Sequence, residues 1–505
     1  MVDSAGKFGA ANPTRDGRLS PSRHTLFSRL ASQSSRLATS EADCPGASCQ
    51  ACSGSWEVGT LPPTILKRLR QYMKFGARKD KQSTDTSRCA RKATTLFGVR
   101  MIDLAGLERV LKGMAGCPRA VCAGSGATPL ALLDVADQCL ETWRLACVNA
   151  PVGVPTRKGV THETVFIGPG TRHAESLEYV PCRLSLAPQL YENRFAPDIL
   201  LLHTSTPRNG VVSMGIEVQV LPAVLESAKR RGATIIAQVN PNMPYVFGDG
   251  IVDVGDIDIG VLVDTPLPTA TMPSPGPSAQ QIGNLVASQI PDGATLQVGI
   301  GAVPDAVVAM LPDNRAFGVW TELLTDSIRL LEEAHSLDDR PITGTFAMGT
   351  PALYEWLDEN PKVQLLRCEK TNNPSFISAQ PKMASVNAAL QVDLFSQVNA
   401  TRVGGKIHSG IGGSTDFLVG SMHSPGGQAL IAMPSWHPKA DCSTIVGLLD
   451  SPASATQPSA VITEQGIANL FGKSQEEQAR QLIDNAAHPN ARGGLWSAAK
   501  ELSLA

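Results

Sequence analysis

The chain has 505 residues, 42% of them apolar, and a formal net charge of -2. That size supports two or three cored domains, and a near-neutral body without a basic stripe excludes nucleic acid as an implied partner. No stretch is long and apolar enough to cross a bilayer and none reads as a secretory segment, so the eleven cysteines are expected to be reduced thiols in a soluble, cytoplasmic protein.

Charge is uneven along the chain. Residues 1–100 hold 17 Lys and Arg against 7 Asp and Glu, which leaves -12 for the remainder. Residues 1–97 are rich in Ser, Arg, Gly and Thr with little hydrophobic period, and read as a basic, disordered extension. Arg15, Arg18, Arg23, Arg29 and Arg36 among serines have the make-up of a mitochondrial transit peptide, which would change the compartment. The alternative is an overextended start, with Met73 or Met101 beginning a shorter product. Cys44, Cys49 and Cys52 have the spacing of plant-type iron–sulfur ligands, but Pro45-Gly-Ala-Ser48 makes a loose loop rather than the pocket a cluster needs.

The body opens with Gly124-Ser-Gly126-Ala127-Thr-Pro129-Leu-Ala131, and the same Gly-x-Gly-Ala-x-Pro-x-Ala pattern returns from Gly299 to Ala306, offset by 175 residues. This is an internal duplication. Each copy predicts a strand, a glycine turn and a helix with Pro near its first turn, where a missing N–H costs nothing. A dinucleotide fingerprint would need a third glycine, and Pro129 and Pro304 stand there instead. The helix start behind Gly299 and Gly301 can still attract an acyl carboxylate or thioester oxygen, whereas the first copy reads as structural.

Apolar runs at 199–203, 234–238 and 257–263 predict buried strands, with a helix over 218–229 between the first two. Asn240-Pro-Asn-Met-Pro244 predicts a turn at a strand end. A Pro-rich linker at 266–277 then divides an α/β domain over 98–277 from a second over 278–505. The second domain predicts helices at 278–289 and 475–487 and strands at 345–348, 363–368, 429–433 and 460–463. His203, His408 and His437 share no ligand spacing with other donors, so no metal is expected.

Two stretches of this second domain carry candidate chemistry. Phe317-Gly-Val-Trp-Thr321-Glu322 is a short apolar run ending in a carboxylate, and Leu323, Leu324, Ile328 and Leu331 predict a helix immediately after it. A carboxylate at a strand-to-helix junction sits where open α/β sheets place their chemistry, although a solvated partner of the helix dipole is the plainer reading. Gln397 to Phe417 contains Gly404, Gly405, Gly410, Gly412 and Gly413 with the amides of Gln397 and Asn399. Such a run can form a binding floor that approaches a ligand closely, or a pair of glycine turns between strands.

Thr321-Glu322, Gln397-Val398-Asn399, Gly410-Ile-Gly412-Gly413-Ser-Thr-Asp416-Phe417, and Thr463-Glu464-Gln465-Gly466-Ile467-Ala468 followed by Gly472-Lys473-Ser474 occur in this order. Together they resemble the acetyl-CoA hydrolase/transferase family of class I CoA-transferases, which includes acetate and 4-hydroxybutyrate CoA-transferases, from about residue 98 to about 500. The resemblance implies two related open α/β halves facing across a cleft. It also implies that Glu322 attacks an acyl-CoA, such as acetyl-CoA, to form a covalent glutamyl-CoA intermediate, with a short-chain carboxylate as acceptor. The Asn399 amide and a backbone N–H at Gly412 or Gly413 would face the oxyanion, and Gly299, Gly301, Gln397, Gly410, Gly412 and Gly413 would line the substrate and CoA. Asp416 would brace the glycine loop. Coenzyme A is then a substrate rather than a resident cofactor, no membrane is involved, and a homo-oligomer is expected.

Three positions depart from the family's usual pattern: Ser327 where glycine is common, Gln465 where tyrosine or histidine is usual, and Ser443-Thr444 where an arginine often follows the serine. They bear on acyl selectivity more than on the nucleophile. Two other readings follow from the same residues. If water reaches the acyl-enzyme the protein is an acetyl-CoA hydrolase; if neither Glu322 nor Asn399 acts, it is a non-catalytic CoA-binding paralogue.

Overall fold

Two parallel sheets, each with a single antiparallel pair at one edge, carry the structure. It is a computed structural model that describes residues 94–96, 98–270, 274–299, 301–312, 315–453 and 455–505, all in one compact unit. The transit-peptide reading and the cysteine triplet lie outside the described residues. Among the described residues, no helix is long and apolar enough to cross a membrane.

The first sheet has nine strands among the described residues, in the order Thr94–Leu96, Val99–Ile102, Ile259–Leu262, Thr234–Val239, Ile199–Thr204, Arg119–Cys122, Trp143–Ala146, Val160–Thr164 and Leu177–Tyr179. Only the first pair is antiparallel. The chain leaves Arg119–Cys122 on one side, runs outward to Leu177–Tyr179, and returns on the other side at Ile199–Thr204. The carboxyl end of Arg119–Cys122 is therefore a point where strand order reverses. The second sheet repeats the device. Its order is Gly318–Val319, Thr295–Val298, Ala384–Asn387, Gln428–Ala432, Ala460–Thr463 and Gly466–Asn469, so the reversal falls at the end of Thr295–Val298. Both copies of the duplicated glycine turn thus follow a switch-point strand, the place where such sheets open a crevice.

The central strands are buried on both faces, as their unbroken apolar runs predict. In the first sheet Ala120, Ile199 and Leu201 pack against Leu107, Leu132 and Leu133 of the helices Leu104–Lys112 and Leu130–Cys139. Val121 and Leu200 face the other way, into a core that also holds Leu296, Val386 and Leu430 of the second sheet. Ala429, Ile431 and Val461 close a third cluster with Leu482, Ile483 and Ala499. The helix predicted over 475–487 is an α-helix only to Gln481 and continues as one π turn, Leu482–Ala486. Its start is fixed by a capping box in which the Ser474 hydroxyl and the Glu477 carboxylate satisfy each other's backbone N–H.

The first glycine turn is filled by the protein itself. Glu217, fully buried, accepts from Gly124 N at 2.9 Å, from Ala127 N at 3.4 Å and from Gln219 Nε2 at 3.3 Å. Burial raises its pKa to about 8, with the two backbone donors pulling the other way. The folded state therefore holds a proton here that the unfolded chain releases near pH 4.5. Stability from this site is fully present below that pH and is lost as pH rises through about 8. Glu217→Gln keeps an oxygen acceptor and removes the titration. Thermal melts from pH 5 to 8 are expected to fall less steeply for this variant than for the parent.

Candidate active site

Glu322 does not sit in a helix. Gly318–Val319 and Leu323–Leu324 are short strands on either side of it, and the helix begins only at Asp326, so the expected strand-to-helix junction lies four residues further on. Two apolar leucines at 323–324 satisfy a helical period and a buried strand equally well, and pairing with Phe346–Ala347 decides for the strand. The Glu322 carbonyl accepts from Thr345 N at 3.0 Å and Phe346 N at 3.1 Å, and the Thr321 hydroxyl donates to Val298 O at 3.3 Å. The first two bonds hold the backbone of Glu322 to the segment at Thr345 and Phe346, and the last ties its neighbour Thr321 to the end of the switch-point strand that precedes Gly299. The strand segment at Phe346–Ala347 is shared: Ala347 N also donates to Ile216 O at 2.7 Å, and Glu217 bridges Phe346. The two glutamates, Glu217 and Glu322, therefore flank one segment.

The Glu322 carboxyl lies deep among protein atoms, although part of the side chain stays open to solvent. Asn372 Nδ2 donates to its Oε2 at 2.8 Å. Asn372 is itself fully buried at the end of the short helix Cys368–Thr371, and its Oδ1 accepts from the Thr371 hydroxyl at 2.9 Å. Desolvation pushes the Glu322 pKa up to about 7; the Asn372 bond opposes this and the nearby Asp416 charge adds to it.

Gly413 closes the other side. It is the N-cap of the helix Ser414–His423, and a Cβ there would stand 1.9 Å from Glu322 Oε2 and 2.1 Å from Asn372 Nδ2. Only a residue without a side chain permits this contact. Gly412 before it has φ +59°, so the chain turns through the left-handed region and arrives with the start of the helix beside the carboxyl. Gly410 and Gly412 also bridge Phe166 and Arg183 of the first half.

The expected site residues thus divide. Glu322, Gly412 and Gly413 come together. Gly301, with φ +122°, caps the helix Ala302–Met310, and Gly299 ends the strand that Thr321 holds. The side chains of Asn399 and Gln397 are occupied elsewhere. Asn399 Oδ1 accepts from Thr401 N and Arg402 N at 3.1 and 3.0 Å, and its Nδ2 donates to Arg402 O at 2.9 Å. That is a closed Asx turn, and Nδ2 also donates to Gln391 Oε1 at 3.4 Å, so both N–H groups of the amide are engaged within the protein. Gln397 likewise donates to Phe395 O at 3.2 Å and accepts from Thr456 N at 3.3 Å. The amide beside the Glu322 carboxyl is Asn372, which the sequence reading missed. Its signal was the Asn372-Asn373-Pro374 turn after the predicted strand at 363–368.

All three departures from the family pattern find partners; the Ser443 and Thr444 hydroxyls donate to Ile445 O and Pro434 O, each at 2.7 Å. Ser327 donates to Asp305 Oδ1 at 2.8 Å, in the first turn of the second-copy helix. Gln465 Nε2 donates to Glu464 Oε1 at 3.2 Å, and the same carboxylate accepts from Ser435 N at 3.0 Å.

Comparison with known proteins identifies the family of the chain. Residues 157–273 match the acetyl-CoA hydrolase/transferase N-terminal domain and residues 349–499 match the acetyl-CoA hydrolase/transferase C-terminal domain. The chain is 38% identical over 356 residues to a 4-hydroxybutyrate coenzyme A transferase of Clostridium kluyveri, covering 67% of this chain and 82% of the relative. It belongs to the acetyl-CoA hydrolase/transferase family, a family of enzymes. A succinyl-CoA:acetate/propanoyl-CoA:succinate CoA transferase of Fasciola hepatica is 31% identical over 405 residues, 74% of this chain and 83% of that one. An acetyl-CoA hydrolase of Kluyveromyces lactis is 35% identical over 209 residues, 39% of this chain and 38% of that one. Among solved structures, RipA from Yersinia pestis matches with a TM-score of 0.72 and 26% identity, over 80% of this chain and all of that one.

Proposed function

We propose that the protein moves CoA between an acyl-CoA, with acetyl-CoA as the first donor to try, and a short-chain carboxylate, through a thioester on Glu322. The Glu322 carboxylate attacks the thioester carbonyl, the C–S bond breaks, and an acyl-glutamyl anhydride and CoA thiolate result. The thiolate attacks the glutamyl carbonyl, releasing the first carboxylate and leaving glutamyl-CoA. An acceptor carboxylate then attacks this thioester, and the thiolate it frees takes the new acyl group, which restores Glu322. Coenzyme A enters and leaves as substrate, and no resident cofactor is required.

The observation that carries this reading is the contact between Glu322, the Asn372 amide and Gly413. A carboxylate with a pKa near 7 is a stronger nucleophile than an ordinary one and is still substantially ionised at neutral pH. The backbone N–H at Gly413 and the start of the helix behind it offer positive potential where the attacked oxygen gains charge. The transferases that match over most of their length favour transfer over hydrolysis as the main outcome.

The test is an intact-mass measurement on protein mixed with acetyl-CoA without acceptor, with borohydride trapping and peptide mapping, beside Glu322→Ala. An adduct on the Glu322 peptide, absent from the variant, is the expected result. Free CoA accumulating without adduct would favour a hydrolase, and neither product would overturn the acetyl-CoA assignment. The same site sets a pH dependence. Glu322 must be ionised to attack, so kcat/KM is expected to rise with pH through about 7. Asn372→Ala removes a bond that favours the ionised form, and should move that limb upward by about one pH unit.

A further inference from the structure

The glycine loop that touches Glu322 is gripped from its far side by the first half of the chain. Ile167 N donates to Ser409 O at 2.9 Å, Phe166 bridges Gly410, and Leu184 N donates to Gly412 O at 3.0 Å. The grip ends at Asp416, which has no exposed side-chain surface. Its Oδ1 accepts from the Ser185 hydroxyl at 2.9 Å and its Oδ2 from Ser185 N at 3.2 Å, with Arg183 Nη1 at 3.9 Å from Oδ1. Ser185 and Asp416 are 231 residues apart in sequence. A carboxylate in a first helical turn ordinarily serves the N–H groups of its own helix. Here both oxygens serve another segment.

We infer that Ser185 and Asp416 form a latch that sets the distance between Gly413 and Glu322, which makes Asp416 a positioning residue for the transfer reaction proposed above. Gly413 and Asp416 lie within one turn of the same helix, so they move as one body. Fixing Asp416 to the first half therefore fixes the N–H donors at Gly413 relative to a carboxyl whose own backbone is held by Thr345 and Phe346. A misplacement of about 1 Å at such a site costs on the order of a hundredfold in rate.

Asp416 also faces the nucleophile electrostatically. Its titratable or charged neighbours are Glu322, Arg183 and Cys182. The helix Ser414–His423 packs further on Pro374–Ser378, Gln428–Ala432 and Ala384–Asn387, which carry no titratable side chains. Removing the Asp416 charge lowers the pKa of Glu322, because that charge raises it.

The test measures single-turnover formation of the Glu322 adduct, steady-state kcat and KM, and thermal stability, for full-length Ser185→Ala, Ser185→Thr and Asp416→Asn beside the parent. Ser185→Ala is expected to slow adduct formation and kcat about tenfold or more, with KM for the acyl-CoA nearly unchanged. Ser185→Thr, which keeps the hydroxyl, should recover most of the rate. Asp416→Asn should be slower and should also move the acid limb of its pH profile downward. If Ser185→Ala reacts at the parent rate, with only a lower reactive fraction or melting temperature, the pair is a structural tie and the inference fails alone. If the parent forms no adduct at Glu322, the transferase reading fails and the catalytic role of the latch falls with it.

Discussion

Glu322→Gln is expected to lower turnover by roughly four orders of magnitude or more, the scale on which loss of a covalent nucleophile acts. The change is nearly isosteric, and the amide oxygen can still accept from Asn372 Nδ2, so folding should be retained. What disappears is the ionised oxygen that attacks the thioester in the proposed reaction. Binding of acyl-CoA, followed by ligand-induced thermal stabilisation, should survive, because the wall of Asn372 and Gly413 is intact. Steady-state kinetics with an acyl-CoA donor and a carboxylate acceptor check the rate. A Glu322→Gln protein that turns over at a tenth of the parent rate would remove Glu322 from the mechanism. Glu322→Asp adds a finer control: the carboxylate remains but withdraws by one methylene from Asn372, so a large loss there would report position rather than charge.

Gly413→Ala is the second large effect. The added methyl would overlap both Glu322 Oε2 and Asn372 Nδ2, at 1.9 and 2.1 Å from its carbon. The Glu322 backbone cannot yield, since Thr345 and Phe346 hold its carbonyl, so the carboxyl and the amide must turn away. The expected result is a loss of about a hundredfold or more in kcat. The φ of -100° at Gly413 suits any residue, so the backbone itself is not strained and the fold should persist. That separates Gly413 from Gly412, where the positive φ would add a conformational penalty to any substitution. Circular dichroism beside kinetics distinguishes the two: an unfolded Gly413→Ala would mean that the contact serves stability first.

Much of the scaffold is legible in the residues because its signals are local. The duplicated glycine turns announce themselves by pattern, and strands buried on both faces announce themselves as unbroken apolar runs such as Ile199-Leu-Leu-Leu. Asn240-Pro-Asn-Met-Pro244 likewise forms the turn it spells. The site is less legible, since it depends on which polar group is left over after folding. Asn399 and Asn372 are the same residue type in polar turns. Asn399 closes on the N–H groups of Thr401 and Arg402, a competition that the local sequence permits but does not decide. Asn372 is left to face Glu322 because the helix Cys368–Thr371 delivers it there from 50 residues away. Nothing near Ser185 or Phe166 in sequence points to the glycine loop. Their contacts exist only once the loops at Phe166 and Arg183 bridge Gly410 and Gly412 of the second half.

The division of the site between distant segments has a consequence for how the enzyme comes into being. A ribosome delivers Phe166, Arg183 and Ser185 first, then Glu322, then Asn372, and the glycine loop last. A nascent chain that has reached Glu322 carries the carboxylate without Asn372 or Gly413 beside it, and gains its full setting only when the loop docks onto a surface made long before. The chemistry proposed for Glu322 therefore waits until the loop at 410–413 has been made and has docked, well after the carboxylate itself.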